Sequence, residues 1–109
     1  MADLKESLME FQSMVHATAR SKGFYRTPTN LATKIALAHS ELSEALAVDR
    51  MQEGECPDAK PSAIAMELAD CIIRILDMAA AHNLPVVHEM LAKAEHNKTR
   101  PMMHGGKLY

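Results

Sequence analysis

Apolar side chains recur at helical spacing in four stretches of the 109-residue chain. Leu4, Leu8, Phe11, Val15 and Ala19 form the first stripe. Asp3 followed by Glu6 has the spacing of a capping box and Gly23 supplies a stop, which predicts a helix over about residues 4 to 22. Thr29 and Asn30 are capping residues ahead of a second stripe, Leu31, Ile35, Ala38, Leu42 and Ala45, on a helix expected to run to about Met51. The third stripe is Ile64, Leu68, Cys71, Ile72, Ile75 and Met78, ending near His82. Ile73 and Leu76 make its other faces nearly as apolar, and a helix apolar on most sides is expected to be buried. Asn83-Leu84-Pro85 breaks and restarts the chain, and Val87, Met90, Leu91 and Ala94 mark a fourth helix.

Between the second and third helices, the segment from Glu53 to Pro61 holds Gly54, Pro57 and Pro61 among charged residues and reads as a loop. The tail, residues 99–109, contains Pro101, Gly105 and Gly106 and is expected to be irregular. Four helices with short connections predict an all-α chain folded as a four-helix antiparallel bundle. A chain of this length makes one domain, residues 1–109, with a core small enough that oligomerisation would add to its stability.

Composition sharpens this picture by exclusion. Four Gly, two Tyr, two Phe and no Trp argue against an all-β fold. Twelve basic against fourteen acidic residues give a net charge of -2, without the basic excess of a nucleic-acid binder. The opening Met1-Ala2-Asp3-Leu4-Lys5-Glu6 lacks the features of a signal peptide and no apolar run approaches membrane-spanning length, so a cytoplasmic protein is expected. Cys56 and Cys71 have no CxxC spacing and are expected to be reduced thiols. The six His residues show no metal-ligand spacing, and the nine Met residues fall mostly on the apolar stripes as core filler.

Chemistry concentrates on the second and third helices. Glu41 and Glu44 are three residues apart, as are Glu67 and Asp70, so each pair projects from one helical face. Leu37 and Val48 share the first face, and Ile64, Cys71 and Met78 border the second, which predicts that these carboxylates are partly buried. Four acids facing one another repel and are costly to desolvate unless cations compensate them. Oxygen-only ligands suit Mg²⁺ or Mn²⁺, and Mg²⁺ commonly completes its shell with phosphate oxygens, which points to a phosphate ester or anhydride as substrate. The competing reading is ordinary ion pairing on solvated faces, with Asp70 and Arg74 as one pair. A di-iron carboxylate bundle needs a Glu-x-x-His motif that the chain does not contain.

Lys93, Asn97 and Arg100 follow at helical spacing near the C-terminus, with Lys98 beside them and His104-Gly105-Gly106-Lys107 beyond, a set able to hold phosphate. The plainer reading is that these cations complement the helix dipole and that Glu89 pairs with Lys93.

Taken together, Ser40-Glu41-Leu42-Ser43-Glu44-Ala45-Leu46, Glu67-Leu68-Ala69-Asp70-Cys71-Ile72-Ile73-Arg74, Asn97-Lys98-Thr99-Arg100-Pro101 and His104-Gly105-Gly106-Lys107 resemble the motifs of MazG-like nucleotide pyrophosphohydrolases, in the all-α NTP pyrophosphatase superfamily. The resemblance implies a MazG fold assembled as a homo-oligomer, dimer or tetramer, with the active site near the interface. It implies Mg²⁺-dependent hydrolysis of a nucleoside triphosphate, often a deoxynucleotide, to the monophosphate and pyrophosphate, as house-cleaning of nucleotide pools. Glu41, Glu44, Glu67 and Asp70 would then be metal ligands and catalytic carboxylates, and Lys93, Asn97, Lys98, Arg100 and Lys107 would bind phosphates. Base recognition would fall to pocket residues on the first helix and the Phe24-Tyr25 connector. Many relatives carry a further Glu where this chain has Ser40, which implies one outer metal contact fewer. Phosphoribosyl-ATP pyrophosphohydrolase, from the same superfamily, is a related enzyme expectation. From another class, the alternative is a catalytically inactive MazG-like protein that binds a nucleotide or a partner helix.

Overall fold

The computed structural model describes residues 2–52, 54–55 and 59–102, which form four α-helices and no strand. These are α1, Ala2–Ser21; α2, Leu31–Arg50; α3, Lys60–Ala81; and α4, Val86–Thr99. None of the described helices is long and apolar enough to cross a membrane.

The breaks between helices have local causes. Gly23 adopts φ 88°, and the chain closes α1 with Phe24 N–H donating to Ala19 O at 3.1 Å and Gly23 N–H to Arg20 O at 3.1 Å. That is a Schellman turn, whose left-handed position suits glycine. Asn83, at φ 55°, repeats it after α3, with Leu84 N–H reaching Ala79 O at 2.8 Å. Asn30 caps α2 by accepting from Thr33 N–H at 2.8 Å. Two expected boundaries differ. Asp3 lies inside the first turn of α1, where its charge meets the positive end of the helix dipole, rather than ahead of it as a cap. Pro61 belongs to the first turn of α3, not to the loop, because a helix start has no use for the N–H that proline lacks. Glu53, Cys56, Pro57 and Asp58 of the loop lie outside the described residues, as do Met1 and 103–109, including His104, Gly105, Gly106 and Lys107.

Helices α2 and α3 form an antiparallel hairpin. Lys60 Nζ donates to Met51 O at 3.0 Å at the closed end, Cys71 Sγ lies 3.5 Å from Ala38 O midway, and Leu31 packs against the cluster of Ala38, Cys71 and Met78. Helix α1 packs on α3, and α4 leans on α1. The core is thin: Ala38, Cys71 and Met78 are its centre.

The stripes do not bury as the sequence pattern predicts. On α2 the buried residues are Lys34, Ala38, Glu41 and Ala45, while Ile35 and Leu42 are exposed. The helix is rotated so that its charged positions meet partners on α3 and the connector. Helix α3 is buried at Cys71 and from Leu76 to Ala79, yet Met66, Leu68, Ile72 and Ile73 are exposed, because α2 and α1 cover only part of its surface. The radius of gyration, 16.7 Å, exceeds the roughly 13 Å of a compact chain of this length. A single copy is an open arrangement with much apolar surface uncovered.

Asp77 ties three segments together. His16 Nδ1 meets its Oδ1 at 2.8 Å, Tyr25 OH donates to its Oδ2 at 2.6 Å, and the neighbouring Leu76 O accepts from Gln12 Nε2 at 3.0 Å. Removing a buried acceptor from such a network strands its donors. Asp77→Ala is expected to lower the unfolding free energy by about 3 kcal/mol in urea titrations, and Asp77→Asn by less. A loss under about 0.5 kcal/mol for the alanine variant would show that the network does not hold α1 to α3.

Candidate metal centre

The register of the α2–α3 hairpin brings the two acid pairs face to face. Oxygens of Glu41, Glu67 and Asp70 lie within 4.8 Å of one another. Glu44 also faces Glu67 closely enough to hydrogen-bond its protonated carboxyl. Glu41 is buried, Glu67 half-buried, and Glu44 and Asp70 exposed. Leu37 is exposed and Val48 half-buried on the Glu41 side, while Cys71 and Met78 are buried on α3.

Each acid resolves the repulsion differently. Arg74 Nε donates to Glu41 Oε1 at 2.7 Å and holds that carboxyl below the usual carboxylate range, against the opposing effect of burial. The Asp70–Arg74 pair of the competing reading does not form among the described residues: Arg74 crosses to α2, where the buried carboxylate has less water to compensate it. Glu67 has no such cation. Its Oε2 is inaccessible and without a hydrogen-bond partner among the described residues. Glu44 meets it as a second acceptor, and that contact, then burial, then the charges of Glu44, Glu41 and Asp70 push Glu67 up to about 7.

This donor set could hold a metal ion. Three carboxylate oxygens gather within 4.8 Å of one another, and Glu67 Oε2 is inaccessible with no hydrogen-bond partner among the described residues, the kind of acceptor a bound cation would satisfy. The Ser40 hydroxyl donates to Leu37 O on its own helix at 2.6 Å.

Beside the acids lies a cavity of about 530 Å³ between α1, α2 and α3. Glu41, Asp70, Arg74 and Asp77 form its polar wall with Lys34, and Val15, Leu37, Ile73 and Phe24 its apolar wall. Val15, Thr18 and Ala19 of α1 and Phe24 of the connector are among its lining residues. The phosphate-binding candidates are elsewhere. Lys93 and Asn97 border a shallow depression on α4, Lys98 Nζ pairs with Glu95 on its own helix at 2.8 Å, and Arg100 is the α4 C-cap. Lys107 lies outside the described residues. Glu89 and Lys93 both line the depression, but among the described residues they form no ion pair.

Sequence reasoning passed over Lys34, Arg74's true partner, and the His16–Tyr25–Asp77 group. One signal was present: Lys34 is two turns before Glu41 and Asp77 two turns after Asp70, so both extend the acidic faces. Burial first, and then the Asp77 carboxylate, push the Tyr25 hydroxyl far above its ordinary range, so it remains a donor. No protein-family model, curated protein or solved structure matches the chain.

Without metal, Glu67 holds its proton up to about pH 7 when folded, against 4.5 as its ordinary value. Between these values the folded state binds more protons than the unfolded one, so this contribution to stability is present at low pH and is lost as pH rises through the folded pKa. Chelated protein is expected to show Tm falling between about pH 5 and pH 8, with a shallower fall in Glu67→Gln. Equal slopes in the two proteins would contradict the assignment.

Proposed function

We propose that this chain is a MazG-like nucleotide pyrophosphohydrolase. In this reading it hydrolyses a nucleoside or deoxynucleoside triphosphate between the α and β phosphates, in the cytoplasmic nucleotide pool. The observation that carries the proposal is the acid cluster built across α2 and α3, with Glu67 Oε2 inaccessible and unpartnered, opening onto a cavity of about 530 Å³. Glu41, Glu44, Glu67 and Asp70 would hold Mg²⁺, for which Mn²⁺ can substitute. A bound ion of this kind supplies positive charge that orients the triphosphate and offsets charge on the leaving pyrophosphate.

The residues have separable tasks. A carboxylate of the cluster accepts the proton of the attacking water as its oxygen bonds to the α phosphorus, and pyrophosphate departs with the bridging oxygen. Arg74 keeps Glu41 ionised and oriented. Phe24, Val15 and Ile73 offer an apolar surface to the base.

The reading includes a homo-oligomer, dimer or tetramer. Ile35, Leu42 and Leu46 recur along one exposed face of α2, and Leu68, Ile72 and Ile75 along one of α3. In an oligomer that brings α4 of one copy to the cavity of another, Lys93, Asn97, Lys98 and Arg100 would reach the phosphates. The Arg74–Glu41 ion pair favours a second reading, a catalytically inactive nucleotide- or partner-binding protein, because an internal cation already offsets part of the acid cluster.

A panel of ribo- and deoxynucleoside triphosphates with Mg²⁺ is expected to yield pyrophosphate, with none in chelator. Glu44→Ala and Asp70→Ala should each abolish turnover while the far-ultraviolet dichroism remains helical. Nucleotide binding without product in the unaltered protein would select the second reading, and near-normal turnover in both variants would remove the metal assignment. Sedimentation equilibrium should give at least twice the chain mass; a monomer would contradict the oligomer.

A further inference from the structure

Lys34 is the cation whose position the cluster does not explain. It is only 8% exposed and lines the cavity, yet among the described residues it forms no ion pair and its ammonium has no hydrogen-bond acceptor. Its contact is the face of Tyr25, with Nζ 4.3 Å from the ring centroid. A cation over an aromatic face recovers part of the free energy lost on leaving water; the stem of Lys34 is buried, while its ammonium, with no carboxylate beside it among the described residues, keeps access to the cavity.

The acids of the same wall are already committed. Glu41, two turns along α2 from Lys34, receives Arg74. Asp77 is occupied by His16 and by Tyr25. Asp70 belongs to the oxygen cluster. The Tyr25 ring beneath Lys34 is fixed from two sides, by its hydroxyl on Asp77 and by an edge-on His16 ring 5.1 Å away. The chain His16–Asp77–Tyr25 thus holds an ammonium in the cavity wall and leaves its charge unpaired.

We infer that Lys34 is an anion-binding residue of this cavity, taking phosphate oxygens of a polyphosphate ligand whose cation is held by Glu41, Glu67 and Asp70. The assignment rests on the phosphohydrolase reading for the identity of the anion, and it gives each chain a phosphate contact of its own, independent of α4. Acids at one part of the wall and a lone ammonium at another match the two charges of a metal–polyphosphate complex. Tyr25, Asp77 and His16 are positioning residues, acting through Lys34.

The test is calorimetric titration of inorganic pyrophosphate into the full chain with saturating Mg²⁺, for the unaltered protein, Lys34→Met and Lys34→Arg. Losing a charged hydrogen bond to phosphate should weaken binding roughly tenfold or more in Lys34→Met, with Lys34→Arg retaining most of it. Mn²⁺ affinity without pyrophosphate should be unchanged in Lys34→Met, and helicity preserved. Equal pyrophosphate affinity in the unaltered and Lys34→Met proteins would overturn the inference, as would no binding to the unaltered protein or a matching loss of Mn²⁺ affinity. If no triphosphate is hydrolysed but Lys34→Met still loses pyrophosphate, the hydrolase reading fails and Lys34 stands. If turnover persists and position 34 has no effect on pyrophosphate, only Lys34 falls.

Discussion

Like charges brought together between packed helices must be neutralised, protonated or bridged, and that requirement falls here on the contact between α2 and α3. Glu41 is neutralised by Arg74. Glu67, without a cation, is pushed toward its protonated form and keeps one oxygen inaccessible and unpartnered. A cation bound among them, as proposed, would be the third solution for both, since it would bring positive charge to the oxygens that crowd there. The hairpin register that aligns Cys71 with Ala38 also sets Glu41 against Glu67, Asp70 and Arg74, so fold and site share one cause.

The rest of the chain organises around that contact. Turning Glu41 and Lys34 inward leaves Ile35 and Leu42 outside, and the short α4 leaning on α1 leaves α3 partly open. The apolar surface that results is more than a lone chain of this size would normally leave uncovered, which is why the functional reading includes an assembly. Asp77 secures the remaining wall by binding α1 and the connector to α3.

The four helices were legible from apolar spacing; of the paired carboxylates expected to be partly buried, Glu41 and Glu67 are, while Glu44 and Asp70 are exposed. The rotation of α2 was not legible. Its most apolar stripe promised Ile35 and Leu42 for the core, but Lys34 and Glu41 find an aromatic face and a guanidinium on other segments, and spacing within one helix carries no information about either. Asp70 and Arg74 had the right separation for a pair, yet the buried carboxylate across the hairpin took the cation. Asp77 sat unnoticed among apolar residues because its partners, His16 and Tyr25, are more than fifty positions away.

Binding of a divalent cation by these carboxylates, as proposed, is measured most directly by a titration of Mn²⁺ followed by the paramagnetic resonance of the free ion. The account predicts saturable binding by the unaltered protein, displacement by Mg²⁺, and loss of the site when Glu67→Gln and Asp70→Asn are combined. Absence of binding, or equal binding by the double variant, would contradict it.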